Sequence, residues 1–488
     1  MDILKTLITI DQEAEQAIYL QISNAFIHNI RAGRLRKGLK LPGSRKLANI
    51  LNINRMTVVA AYEELQIQGW IESIPRKGTF ITQNLPDVNP QNLSDDKQSE
   101  PFPPKASFPI TKKRSQTFSP PVFHPHKLVI NDGFPDVRLA PMEALIRAMR
   151  SIESKPTFKK YLGYGDSQGT QILRKILSAH LSVTRGLPVS PENILITRGT
   201  QMGISLVAKL LIQPRDHVVV GEPGYFGANH VFRAMGATLN RVPVDEEGLD
   251  IDVVEQLCKQ KKITLLYVIP HHHHPTTVTL TPQRRIRLLE LSARYNFAVI
   301  EDDYDYDFHY AGNPVLPMAS LSQQGNVIYL GTLTKTIAPA IRIGFMVAAE
   351  NIIQFVSGLR RTMDFQGDNM TELAIADLYK DGTIARHIKK SVKLYRKRRD
   401  HFCKLLKNYL GNNVSFMVPE GGMSVWVRFN GKPLKKISQT AFKKGLVISD
   451  GQEYNTFDKN YNAARLGFAS LNLEEQKHAI SILAECMP

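Results

Sequence analysis

The stretch VIYLGTLTKTIAPAIRIGFMV, residues 327–347, admits few folds. Four apolar residues, 327–330, run straight into a small, hydroxyl-bearing turn, Gly331-Thr332-Leu333-Thr334, and Lys335 follows at once. Arg342 is the other charge in an otherwise apolar stretch. A short apolar run bounded by a turn predicts a buried strand. An ammonium beside buried sequence is costly unless something uses it. Desolvation lowers its pKa and makes the amine a nucleophile able to form a Schiff base. Thr332 and Arg342 together suit a phosphate, the arginine through a bidentate fork. The alternative is a strand, a polar turn and two snorkelling cations.

Further buried-strand candidates lie at 194–196, 217–220, 264–269 and 298–300, with helical stretches between them. That alternation predicts an α/β domain with a mostly parallel, covered sheet from about Leu128 onward. Thr197-Arg198-Gly199-Thr200-Gln201 joins a strand to an apolar helix over 202–211, and glycine plus hydroxyl at a helix N-terminus suits a phosphate. An ordinary strand-to-helix turn would look the same. Glu222-Pro223-Gly224-Tyr225-Phe226 either presents Tyr225 for stacking on an aromatic ligand or fills the core.

Glu301-Asp302-Asp303-Tyr304 follows a strand directly, at the carboxyl edge where α/β sheets bind ligands. Clustered acids there need a cation, and a protonated pyridine nitrogen is one; a carboxylate keeps such a ring protonated as an electron sink. Tyr304 suits a ring hydroxylate. A magnesium site or a solvated acidic turn is the alternative. Four histidines, His271 to His274, cannot all face one metal from a rigid strand, and no carboxylate or cysteine stands close in sequence. A loop at the mouth of a site is expected there, with no metal.

The N-terminal region has a different character. Ile18, Ile22, Phe26 and Ile30 recur every four residues, predicting an amphipathic helix over 14–30. Seven cations follow without an acid in RAGRLRKGLKLPGSRKL. Leu41-Pro42-Gly43-Ser44 is expected to end an extended segment and cap a second helix whose inner face is Leu47, Ala48, Ile50 and Leu51. Asn54 caps a third over 55–68, with Val58, Ala61, Tyr62 and Leu65 inward and Arg55, Met56, Thr57 and Val59 free at its start. Strands at 70–74 and 79–81 flank the basic turn Pro75-Arg76-Lys77-Gly78. Two helices on a three-residue turn, then a hairpin with a basic tip, make a winged helix-turn-helix that binds DNA.

Residues 83–127 are rich in Pro, Ser, Lys and Asp with little periodicity, which predicts a linker. The expected domains are therefore 1–82, this linker, and 128–488. A net charge of +17 favours an anionic partner, nucleic acid first. No apolar run reaches the ~18 residues of a membrane span. Cys258, Cys403 and Cys486 lie far apart with no CxxC pair, which fits a reducing cytoplasm.

The blocks LPGSRKLA, INRMTVVAAYEEL, QGW and RKGTF resemble the GntR family of bacterial regulators. The resemblance puts Arg45, Arg55, Thr57, Lys77 and Gly78 on DNA-contacting positions, with Val59 where some members carry a base-reading arginine. Residues 128–488, through GTLTKTIAPAIRIG and EDDYDYDFHY, resemble fold-type I pyridoxal-phosphate enzymes of the aminotransferase class, with a mostly parallel large domain and a small α+β C-terminal domain. This implies that Lys335 holds the cofactor covalently, Asp302 pairs with the pyridine nitrogen, Tyr304 contacts the ring oxygen and Tyr225 stacks on the ring. Thr200, Gln201, Thr332 and Arg342 would bind the phosphate. Tyr164, in YLGYGDSQGT, matches a tyrosine reaching the partner subunit's phosphate, and Arg465, in AARLGFAS, the arginine that takes a substrate carboxylate. His274 stands where an asparagine commonly precedes proline, and Thr277 where a glycine is usual. The whole chain resembles the MocR/GabR-type subfamily of GntR regulators, which implies a cytoplasmic head-to-tail homodimer answering to pyridoxal phosphate and an amino compound. Whether transamination turns over is left open. The cations of 386–390 and 393–399 are expected on a solvated helix face, with DNA support as the sharper option.

Overall fold

The structure is a computed structural model that describes residues 3–85 apart from 13 and 15, residues 104–105 and 107–109, and residues 127–487 apart from 313, 323 and 457. The chain divides into two compact units, Met1–Ser115 and Gln116–Pro488. Most of the stretch expected as a linker lies outside the described residues. Among the described residues no helix is long and apolar enough to cross a membrane.

In the first unit, helices Ile3–Leu7, Ile18–Arg31, Ser44–Leu51 and Arg55–Ile67 precede strands β1 (Ile71–Ile74) and β2 (Gly78–Ile81). The four-residue spacing of Ile22, Phe26 and Ile30 buries all three in one core with Leu47, Val58, Ala61, Leu65, Ile71 and Ile81. Asn54 caps the third long helix, its side chain accepting from Met56 N at 2.8 Å. Within the expected capping stretch Gly43 takes the N-cap position of the second, with no side-chain cap, and Ser44 Oγ accepts from Arg55 Nε at 3.4 Å. Leu47 and Ala48 are the buried part of that helix's inner face, while Ile50 and Leu51 are half-buried, Leu51 packing against the same core. β1 and β2 pair antiparallel, Ile74 opposite Gly78, around Pro75-Arg76-Lys77.

In the second unit, β3 (Leu128–Val129) leads into eight strands: β4 (Ile194–Thr197), β5 (His217–Glu222), β6 (Thr238–Asp245), β7 (Gly248–Leu249), β8 (Ile263–Val268), β9 (Ala298–Asp302), β10 (Val327–Thr332) and β11 (Gly344–Val347). They form one sheet in the order β4-β11-β10-β9-β8-β5-β6-β7. β6, β5, β8, β9 and β10 run parallel, whereas β11 is antiparallel to both its neighbours. Both faces are covered by helices, and strand centres such as Val218, Val219, Leu265, Leu266, Val299 and Ile300 are fully buried. All five expected strands are present. Beyond 405 a smaller layer forms, with β12 (Val414–Ser415), β13 (Ser424–Phe429) and β15 (Ala463–Gly467) antiparallel and β14 (Leu446–Val447) pairing parallel with β3.

The cationic helix Thr383–Leu405 has its expected solvated face, with Arg386, Lys389, Lys390, Lys393, Arg396 and Lys397 exposed. Much of its charge does face outward, but Arg398 is buried and pairs with the equally buried Asp136 at 2.9 Å. Arg399 Nη1 donates to Pro419 O at 2.8 Å. Both arginines therefore belong to the fold.

Candidate functional site

Parallel strands place their carboxyl ends on one edge, and loops leaving that edge build sites there. Asp302 is the last residue of β9, Lys335 lies just past β10, Thr200 begins the helix Thr200–Leu211 after β4, and Tyr225 precedes the helix Phe226–Ala234 after β5. Together with Gln201, His274, Tyr304, Thr332, Arg342 and Arg465 they line one cavity of about 270 Å³. Tyr164 alone among the residues expected at the cofactor is elsewhere: it is 84% exposed, with its ring stacked on Phe365 at 5.3 Å.

Lys335 and Asp302 set the electrostatics. Lys335 Nζ donates to Gly133 O at 2.7 Å and lies 4.5 Å from the centre of the Phe134 ring. Burial lowers this amine to about 8, although Asp132 opposes the shift. Near neutral pH it therefore spends an appreciable time as the free amine. Asp302 Oδ2 accepts from Tyr267 OH at 2.8 Å, while Oδ1 is buried with no partner among the described residues. Burial raises this carboxyl to about 7 against the Tyr267 hydrogen bond, and Asp303 and Asp305 add to the rise. A buried carboxylate oxygen without a donor favours a cationic N–H facing it.

One end of the cavity suits an anion. Gly199 has φ +77°, and a Cβ there would come 3.1 Å from Arg342 Nη2. Arg342 itself holds φ +52°, a left-handed backbone in a non-glycine residue, and donates from Nη2 to Arg198 O at 2.7 Å. Such conformations persist where surrounding structure enforces them. Thr332 Oγ1 accepts from Thr334 N at 3.1 Å and donates to Thr334 Oγ1 at 2.8 Å, which fixes two hydroxyls at the turn. Tyr225 OH donates to Gln201 Oε1 at 3.3 Å, and the Tyr225 ring stands edge-on to His274 at 5.1 Å.

At the other end Arg465, 2% exposed, donates from Nη1 and Nη2 to Tyr304 OH at 3.3 Å each, and its Nε makes an ion-pair contact with Asp132 Oδ1 at 3.0 Å. Tyr304 OH donates to His272 O at 3.2 Å. Asp132, Phe134 and Tyr267 also belong to this neighbourhood, and sequence reasoning misses them. Asp132 and Phe134 sit in a short loop without periodicity, and Tyr267 reads as one more apolar strand residue.

The histidine run is a loop, as expected, and His274 lines the cavity, but all four side chains are buried. β8 and β9 are parallel neighbours, so residues just beyond their ends come side by side. His271 Nδ1 meets Asp303 at 2.9 Å and His272 Nδ1 meets Asp305 at 3.0 Å. His274 Nε2 donates to Asp132 Oδ2 at 2.9 Å. Asp303 and Asp305, which a solvated turn or a magnesium site would leave open, are thus held by protein donors.

In the first unit Arg45, Arg55 and Lys77 are exposed, and Thr57 is half-buried. Arg55 and Met56 open the helix Arg55–Ile67, the position a recognition helix offers to base edges. Gly78 has φ +114°, and a Cβ there would sit 3.0 Å from Lys40 Cε. The hairpin tip favours glycine at that position.

Comparison with known proteins agrees with both units. Residues 126–483 match the family described as aminotransferase class I and II, and residues 18–81 match bacterial regulatory proteins of the gntR family. The HTH-type transcriptional regulator YisV of Bacillus subtilis is 28% identical over 482 residues, 97% of this chain and 96% of that protein. The probable rhizopine catabolism regulatory protein MocR of Rhizobium meliloti is 26% identical, over 98% and 95%. Kynurenine aminotransferase of Pyrococcus horikoshii, solved with PMP, shares 31% identity and a TM-score of 0.69 over 74% of this chain and 91% of its own.

Proposed function

The chain belongs to the aminotransferase class I and II family, with a gntR-family segment ahead of it, and on that premise we propose that it is a pyridoxal-phosphate-dependent, DNA-binding transcriptional regulator. The observation that carries the reading is the pairing of a half-buried amine of lowered basicity, Lys335, with the unpartnered, buried Asp302 Oδ1 in one cavity. These residues fit the cofactor. Lys335 holds it, Asp302 takes the pyridine N–H, Tyr225 stacks on the ring and Tyr304 meets the ring oxygen. Thr200, Gln201, Thr332 and Arg342 hold the phosphate at the helix N-terminus. The bound cofactor supplies an aldehyde for amines and an electron-withdrawing ring.

An amino-compound effector shifts the DNA-binding equilibrium through its differential affinity for two arrangements of the chain. The full-length likeness to YisV and MocR supports regulation as the main role. The exposed Tyr164 supports a head-to-tail homodimer in which it reaches the partner's phosphate site. Two winged helices per dimer then read two half-sites through Arg45, Arg55, Thr57, Lys77 and Gly78, in the cytoplasm. The domains run 1–82 and 128–488, joined by a linker. An active aminotransferase with an appended DNA-binding domain is the second reading, favoured by the complete set of ring-contacting groups. Purified protein should show the visible band of lysine-bound cofactor, absent in Lys335→Ala. No band after added cofactor defeats the proposal, and steady turnover with amino acids and 2-oxoacids favours the second reading.

A further inference from the structure

As a free amine, Lys335 lies against one loop. Its Nζ donates to Gly133 O at 2.7 Å and stands 4.5 Å over the Phe134 ring, with the Tyr304 ring farther away at 5.8 Å. That loop is braced from both sides. Asn131 Oδ1 accepts from Gly133 N at 3.0 Å and from Phe134 N at 2.8 Å, and Asn131 Nδ2 donates to Ser470 Oγ at 2.8 Å. Gly133 has φ +85°, and a Cβ there would meet Ser424 Oγ at 3.0 Å. Phe134 lines the cavity yet is 39% exposed, so few protein groups compete for its ring face. A ring face, a carbonyl and a nearby carboxylate all favour a cation. Asp132 supplies the carboxylate, fixed by Tyr454 OH at 3.1 Å and His274 Nε2 at 2.9 Å.

We infer that Gly133 O and the Phe134 ring form a holding site for displaced Lys335, and that Phe134 thereby sets how firmly an amine effector is retained without touching it. This rests on the cofactor reading above. When the effector's amine nitrogen takes the cofactor's aldehyde carbon, the new C=N bond replaces the one to Lys335 Nζ. The proton that the effector's ammonium gave up passes to the leaving lysine, so the exchange consumes neither oxidant nor water. In a water-poor cavity the freed ammonium needs a counterpart. Held at the loop as an ammonium it does not reattack, and the exchange is drawn towards bound effector. Burial lowers the amine only to about 8, so below that pH it leaves in the charged form that the ring favours.

The test uses full-length protein and 2-methylalanine, an amine without an α-hydrogen, so that the reaction stops at displacement. The visible band follows the exchange. Phe134→Leu removes the ring but keeps an apolar side chain, and should weaken 2-methylalanine roughly fivefold, with Phe134→Tyr close to wild type. A second readout needs no effector: the pH midpoint of covalent cofactor capture by Lys335. Loss of the ring destabilises the ammonium and moves that midpoint down in Phe134→Leu, whereas a cavity merely loosened and wetter would move it up. A trifluorinated phenylalanine in place of Phe134 keeps the shape while draining the ring face, and should act as leucine does even if Phe134→Leu fails to fold. An unchanged or raised midpoint in either protein overturns the inference, as does unchanged affinity for 2-methylalanine. A normal wild-type band that 2-methylalanine leaves unperturbed overturns this inference alone. A missing band in wild type after added cofactor removes the cofactor reading, and this inference with it.

Discussion

Tyr267 donates its hydroxyl to Oδ2 of Asp302 at 2.8 Å and leaves Oδ1 of the same carboxylate buried without a donor among the described residues. One oxygen is anchored by the strand beside it, so the other is aimed. The cost of that aim falls on the carboxyl group itself, which burial lifts to about 7.

A group whose folded pKa is raised contributes stability below its unfolded pKa and loses it as pH rises through the folded value. Asp302 therefore destabilises cofactor-free protein increasingly from about pH 4 to 7. Its rise from 3.8 to about 7 corresponds to on the order of 4 kcal/mol at pH 8. Asp302→Asn should make cofactor-free protein more stable at pH 8 than at pH 4, relative to wild type, while weakening cofactor binding. Denaturant unfolding at both pH values, with a cofactor titration, measures the opposed effects.

Lys335 titrates in the other direction. Burial lowers it to about 8, so the free amine dominates above that pH. Covalent uptake of pyridoxal phosphate should accelerate through pH 8 and level off by about pH 9, instead of climbing to about 10 as for an ordinary lysine. Stopped-flow absorbance from about pH 6.5 to about pH 9.5 reads this directly.

At the DNA face, Arg55 and Lys77 are expected to behave differently. Arg55→Ala should cost about 1–3 kcal/mol on the natural operator and relax sequence preference. Lys77→Ala should weaken all sequences alike and reduce the salt slope by about 1. Fluorescence anisotropy on specific and scrambled duplexes across a salt series separates the two.

Much of the sheet and most of the cavity are legible in the sequence. Residues 194–196, 217–220, 264–269, 298–300 and 327–330 stand out because buried parallel strands are continuous apolar runs. β6 does not, because Asn240, Arg241 and Pro243 interrupt it, as a strand near a sheet edge permits. β11 is hidden inside the 327–347 stretch, where nothing local marks a reversal of direction. The cavity residues are legible where each follows a strand or opens a helix. Asp132 is not, since its partners Arg465, His274 and Tyr454 are remote in sequence and only the fold unites them. Arg398 reads as solvated for the same reason: its counter-ion Asp136 lies far along the chain. The histidine run draws attention as a cluster, yet its burial depends on acids that follow the neighbouring strand.

The central claim is that one lysine couples a cofactor to DNA occupancy. The direct measurement is occupancy of an operator fragment, recovered by genome-wide binding-site mapping, across a pyridoxal phosphate titration of wild type and Lys335→Ala. Wild-type occupancy should change with cofactor and further with an amine, while the variant's curve stays flat. Superimposable curves for the two proteins would contradict the account.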